Sequence, residues 1–130
     1  MLVALYVVGA VSHGSLRHEV QTLPLWFPIV LGFNRREIAR WCALPCLAFW
    51  LSIMMLIWLY LLGWVPIASG HYSPVEIAMT LIAGVASAAG IWLCVRRARW
   101  PLRGVAMVVL FGVLQVLVFR VSLLPAIANQ

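Results

Sequence analysis

The sequence contains no aspartate and no lysine, and charged residues make up only 9% of its 130 residues. A soluble domain normally carries about 25% charged residues, because its surface must be solvated. Hydrophobic residues make up 65% of this chain, so too few polar residues remain to cover a water-exposed surface. The balance excludes an ordinary soluble domain and predicts a single membrane domain, residues 1–130, with the lipid bilayer as its main surroundings.

Carboxylates are scarce, and the three that exist are far apart in the sequence, at Glu19, Glu37 and Glu76. The sequence shows no paired carboxylates, no Ser/His/Asp set and no glycine-rich phosphate loop, so we expect that the protein is not an enzyme. A proton or ion path usually needs buried acidic residues, which argues against a proton-coupled transporter acting alone. The formal net charge is +6, but the arginines lie between apolar segments. This arrangement favours loops at a membrane surface over nucleic-acid binding.

Metal and haem ligands are also few. His13 and His18 are five residues apart, which places them about 140° apart on a helix, and they cannot hold one metal together. His71 is expected on the opposite side of the membrane from His18. Cys42 and Cys46 share one helix face, but no further ligands lie near them in the sequence. We therefore expect no metal site and no cofactor.

The longest apolar segment, Trp41–Trp64, holds 24 residues without a charge. As a helix it would be about 36 Å long, enough to cross the hydrocarbon core of a bilayer, and its terminal tryptophans suit the two interfaces. Three other segments are apolar over most of their length. The expected fold is an all-α polytopic integral membrane protein with four transmembrane helices. The predicted spans are residues 2–22, 41–64, 75–95 and 102–124.

The first span is the least regular, because its second half is polar. An alternative fold has three spans and an N-terminal helix lying at the interface. Residues 23–33 contain Pro24 and Pro28, which predict an irregular interfacial connection instead of a helix. Another strong local signal is Ser73-Pro74-Val75-Glu76, which predicts a helix with a capping box and proline in its first turn.

The arginines predict the topology. Arg35–Arg40 and the group from Arg96 to Arg103 fall on one side of the membrane if 41–64 and 75–95 both span, and Arg17 joins them if 2–22 spans. Arginine in place of all lysine, with abundant Ala, Val and Leu, suggests a bacterium with a GC-rich genome. The expected location is the bacterial inner membrane, with the arginines cytoplasmic and both termini periplasmic.

Two sets of residues are candidate functional features. Arg17, His18 and Glu19, close to Trp26 in sequence, combine a cation, a proton carrier, a carboxylate and an aromatic ring, as in a site for a quinone or a lipid headgroup. The second set consists of small residues spaced so that two helices can approach closely. These helix-packing residues are Ala83, Gly84, Ser87, Ala88 and Gly90.

These features favour a non-catalytic accessory or structural subunit of a bacterial inner-membrane complex, which packs against partner membrane subunits or a second copy of itself. One alternative is a small oligomeric transporter or channel, with Gln115 and the first helix lining its path. Another is a haem- or quinone-binding membrane anchor of a redox enzyme. The outer Arg120 is expected to extend to the membrane interface.

Overall fold

The structure is a computed structural model that describes residues 1–11, 15–34, 36–64, 73–96 and 101–124, without the side chains of residues 15–18, 34 and 36. Every regular element in this part of the chain is a helix, which confirms the all-α prediction. The helices are α1 (Leu2–Val11), α2 (Ser15–Asn34), α3 (Arg36–Leu61), α4 (Pro74–Val95) and α5 (Leu102–Ser122).

Helix α3 is the centre of the bundle, because it packs against α2, α4 and α5. Its buried face is a row of residues four apart, namely Cys42, Cys46, Trp50 and Met54. Helix α2 also packs against α5, and α1 packs against α2 and α4. In the described part of the chain α4 and α5 do not contact each other, so one face of α3 is left open between them.

The prediction of four transmembrane helices is wrong. Three described helices are long and apolar enough to cross a membrane: Glu37–Leu61 within α3, Pro74–Val95 and Leu102–Ser122. The expected first span, residues 2–22, is divided between two helices, of which α1 has only 10 residues and is about 15 Å long. Helix α2 does not count as a fourth spanning helix, because it contains polar residues.

Helix α2 contains Pro24 and Pro28 within its 20 residues. The expectation that these prolines make residues 23–33 an irregular connection is therefore wrong. Both proline side chains are buried, and the helix runs antiparallel to α3 and α5. Prolines are tolerated in membrane helices when neighbouring helices bind the backbone groups that they leave without partners. Helix α5 contacts the turn of α2 that precedes Pro24, as the next section describes.

The helix ends follow local sequence signals. Ser73 caps α4 by accepting a hydrogen bond from the Glu76 N–H at 3.2 Å, while the Glu76 carboxylate accepts one from the Ser73 N–H at 2.7 Å. This confirms the predicted capping box. Helix α3 ends at Leu61, and the turn after it contains Gly63, whose φ of 76° favours glycine. The N–H groups of Gly63 and Trp64 donate to the carbonyls of Tyr60 and Leu59, which satisfies the last turn.

The two ends of the bundle differ in charge. At one end, here called the basic end, lie Arg40 of α3, Arg96 of α4 and Arg103 of α5. The C-terminal part of α2 also lies at this end, since a Cβ built on Gly32 would be 4.0 Å from the Cβ of Ala39. The opposite end of α2 lies beside Ser122, at the far end of α5.

The direction of α2 corrects two expectations about the first span. Arg17 lies in the first turn of α2, at the end opposite the basic end, and so does not join the other arginine clusters. For the same reason the backbone of His18 lies at the end of the bundle where α4 begins. The reason for expecting His18 and His71 on opposite sides of the membrane therefore does not hold. His71 itself lies outside the described residues.

Candidate functional site

The four residues of the predicted polar site all belong to α2. They are Arg17, His18, Glu19 and Trp26. Of the four, the structure describes the side chains of Glu19 and Trp26, and both are exposed. They are seven residues apart, so they share one helix face but are separated by about 10 Å along the axis. The side chains of Arg17 and His18 lie outside the described residues. The described pair therefore does not form a compact site.

A cluster of buried polar residues lies on the other side of α2, where it packs against α5. Its members, here called the polar cluster, are Gln21, Thr22, Gln115 and Ser122, and each is at most 3% exposed. The Gln21 Nε2 group donates a hydrogen bond to Ser122 Oγ at 2.8 Å. The Gln115 Nε2 group donates to the backbone carbonyl of Gln21 at 3.2 Å.

The cluster lies beside the helix turn that Pro24 disrupts. A proline at this position removes the N–H that would bond the carbonyl of Val20, and its ring crowds the preceding turn. The Gln21 carbonyl lies in that turn and accepts the bond from Gln115. Thr22 Oγ1 and Ser122 Oγ donate to carbonyls of their own helices, Glu19 at 2.9 Å and Phe119 at 2.7 Å. The cluster thus connects α2 to α5 through side-chain hydrogen bonds.

One atom of the cluster has no partner. Gln115 Oε1 is buried and accepts no hydrogen bond within the described structure. Sequence reasoning identified Gln115 as a helix contact or a path-lining residue but did not include Thr22 or Ser122. A signal was present, since Gln115 and Ser122 are seven residues apart and therefore share one helix face. The partner face of α2 could not be recognised, because Gln21 and Thr22 lie at the polar end of the predicted first span, where nothing local indicates a partner helix.

The cysteines are free thiols inside the bundle or partly buried in it. Cys42 and Cys46 are completely buried on the inner face of α3, and Cys94 on α4 is partly buried. Among the described residues no group of three or more histidine, cysteine or carboxylate side chains could hold a metal ion. Since His13 and His71 lie outside the described residues and the side chain of His18 is not described, the expectation of no metal site remains a prediction.

The small residues of α4 divide between the interior and the surface. Ala83 and Ser87 are buried, and the Ser87 hydroxyl donates to the Ala83 carbonyl at 2.7 Å and contacts Met1 Sδ at 3.2 Å. The backbone positions of Gly84 and Gly90 face Met54 and Leu47 of α3. Ala88, by contrast, is exposed. Most of the predicted packing residues therefore contact helices of this chain, and docking to another molecule stays a prediction.

A shallow groove runs between α3 and α4, on the side where α3 faces the gap before α5. Its volume is about 270 Å³, and we call it the α3–α4 groove. It is lined by Leu51, Met54, Met55, Trp58, Thr80, Leu81, Gly84, Val85 and Ala88. Gly84 and Ala88 are one helix turn apart and leave room for a close approach, while Leu81, Val85 and Met55 are exposed at its edges.

No protein family, curated protein sequence or solved structure matches this chain.

Proposed function

We propose that the chain is a non-catalytic accessory subunit of a membrane complex, and that it binds a transmembrane helix of a partner protein in the α3–α4 groove. The observation that carries the proposal is the groove itself, in which Gly84 and Ala88 lie between larger exposed side chains. Lipid tails are as apolar as leucine, so helices associate in a membrane through close van der Waals contact at small residues. Such a surface is suited to another helix.

The walls of the groove add to this argument. Met55 is exposed and unbranched, and such a side chain adjusts to irregular partner surfaces. On the open face of α3, Ala48 and Ser52 are also exposed and small, and the Ser52 hydroxyl donates to the Ala48 carbonyl at 2.9 Å. This hydroxyl is therefore already satisfied and does not oppose contact with an apolar helix. With the basic end cytoplasmic, as the arginine bias favours, the partner is a protein of the bacterial inner membrane.

The alternatives have less support. A transport path along Gln115 would need its amide to face a channel, whereas this amide donates to α2 and is completely buried. A redox anchor would need a compact ligand site, and the described members of the predicted site lie about two helix turns apart. The accessory subunit accounts for the polar residues as contacts within the bundle and leaves the small-residue groove for a partner.

The proposal is tested by purifying the tagged chain in mild detergent from cells that encode it, followed by mass spectrometry and an absorbance scan. We expect a membrane protein to co-purify in a stoichiometric amount. The variant Ala88→Leu fills the groove without affecting a buried position, and it should reduce the yield of the partner at least tenfold.

Ala89→Leu is the matched control, because Ala89 is equally exposed on α4 but does not line the groove. It should retain the partner. Equal loss or equal retention in both variants would contradict docking in the groove. A preparation without any partner would contradict the subunit proposal, and a visible absorbance band would favour the redox anchor instead.

A further inference from the structure

Positive charge at the basic end is not balanced within the sequence. Seven of the nine arginines fall within residues 35–40 and 96–103, and Glu37 is the one carboxylate in these two stretches. The other two glutamates are distant, since Glu19 is in the first turns of α2 and Glu76 closes the cap of α4. The sequence thus carries an excess of positive charge in these two stretches, which favours an anion from outside the chain.

Among the described residues, Arg40 is the arginine with a buried hydrogen-bond donor that has no acceptor. Its guanidinium lies 5.3 Å from the centre of the Trp41 ring, and the contact between Leu47 of α3 and Gly90 of α4 places Arg40, two turns before Leu47, level with the C-terminal end of α4. The Nε atom is buried and has no hydrogen-bond acceptor among the described residues. A buried donor without an acceptor is unfavourable, and more so when it belongs to a charged group. Glu37 is exposed one turn earlier and does not supply this acceptor.

Arg96 provides a second cation at the same place. It is the residue that ends α4, two positions after Cys94, and its guanidinium lies 4.7 Å from the centre of the Trp92 ring. Stacking occupies the face of a guanidinium and leaves the N–H groups at its edge free for an anion. Arg40 and Arg96 thus stand on neighbouring helices at one end of the bundle, each beside a tryptophan.

We propose that Arg40 and Arg96 bind the phosphate group of an anionic phospholipid at the basic end of the α3–α4 interface. Arginine matches phosphate oxygens with paired N–H groups, and basic pockets between membrane helices bind anionic headgroups. Tryptophan rings prefer the depth of the headgroups, which places the site at the level where a lipid phosphate lies. The proposal is independent of the partner helix proposed above.

Native mass spectrometry of the full chain in detergent tests the site, with phosphatidylglycerol and phosphatidylcholine of identical acyl chains as probes. We expect the chain to prefer phosphatidylglycerol. Each arginine is expected to make direct charge-assisted hydrogen bonds to the phosphate, so Arg40→Gln and Arg96→Gln should each reduce the preference by about tenfold or more. Glu37→Gln removes a nearby negative charge and should increase it.

Arg103→Gln is the matched control, because it removes the same charge from an exposed residue at the same end, but on α5. It should leave the preference nearly unchanged, as should Arg120→Gln at the other end. If Arg103→Gln has the same effect as Arg96→Gln, the preference reflects diffuse charge, and the site is refuted. This comparison uses only exposed residues, so it decides the question even if Arg40→Gln does not fold.

A competition separates a lipid from a free phosphate. Glycerol 3-phosphate added at millimolar concentration should not displace phosphatidylglycerol, because a site at membrane depth takes its ligand from the bilayer. Displacement by glycerol 3-phosphate would overturn the assignment to a lipid.

Discussion

Helix α5 packs in two different ways on its two neighbours. Toward α2 it presents Gln115 and Ser122, which make hydrogen bonds with Gln21. Toward α3 it presents glycines, and a Cβ built on Gly104 would lie only 2.8 Å from the Trp41 ring. Both partner helices contain proline, so the contrast comes from the side chains that face α5, which include a polar group at Gln21 on α2 and the apolar Trp41 ring on α3. The same helix thus makes hydrogen bonds to one neighbour and close apolar contacts to the other.

The largest effect is expected on the close-packed side. In Gly104→Ala the new Cβ would meet three atoms of the buried Trp41 ring within 2.9 Å, and a buried indole has little room to move. Overpacking of this kind costs about 1–3 kcal/mol of unfolding free energy. The measurement is unfolding by sodium dodecyl sulfate in bicelles, followed by tryptophan fluorescence.

Gly112→Ala is the control for this prediction, on the same helix and against the same neighbour. Its Cβ would lie 3.6 Å from Pro45 Cβ, which is an ordinary van der Waals contact. We expect unchanged stability. A loss in Gly112→Ala as large as that in Gly104→Ala would mean that α5 does not pack on α3 in this register.

A smaller effect is expected on the polar side. A double-mutant cycle with Gln21→Leu and Ser122→Ala isolates their hydrogen bond, for which comparable bonds in membrane proteins average about 0.6 kcal/mol and reach about 1.7. The same unfolding assay gives this coupling energy. Ser52→Ala serves as a reference, because its exposed hydroxyl bonds only within α3. A coupling energy of zero would mean that Gln21 and Ser122 do not interact and would contradict the pairing of α2 with α5 at this depth.

The smallest effect is expected at Gln115, although it is completely buried. Gln115→Leu loses the bond to the Gln21 carbonyl but also removes a buried Oε1 atom without a partner. The cost of leaving the Gln21 carbonyl without this donor and the gain from removing the unpaired oxygen are of similar size and largely cancel, so the net change should stay within about 0.5 kcal/mol. Ion flux in liposomes is measured in parallel. A loss of flux in Gln115→Leu with unchanged stability would support the transport alternative.

Helices α3, α4 and α5 could be predicted from the sequence, whereas α2 could not. Long apolar segments indicated α3 and α5, and the capping box at Ser73 indicated the start of α4, because these signals act locally. The prolines of α2 argue against a helix when only neighbouring residues are considered. The stabilising groups, Gln115 and Ser122, lie 94 and 101 residues away from Gln21. No local rule connects positions so far apart.

The separation of partner residues along the sequence also determined which site residues could be predicted. The predicted site was chosen because its polar residues are close in sequence, yet Glu19 and Trp26 are both exposed on α2 without meeting. Thr22 and Ser122 are less conspicuous in the sequence, since a single hydroxyl in an apolar segment is common. Their importance comes from burial at a helix interface, which depends on the direction of α2.

The dependence of α2 on α5 has a consequence for biosynthesis. Gln21 is translated 101 residues before Ser122, and at a synthesis rate of about 5–20 residues per second this is an interval of roughly 5–20 s. During that interval α2 can already pack against α3, but α5 is not yet present to donate to the Gln21 carbonyl. The contacts of Gln21 with Gln115 and Ser122 therefore form only after α5 has been synthesised, later than the contacts between α2 and α3.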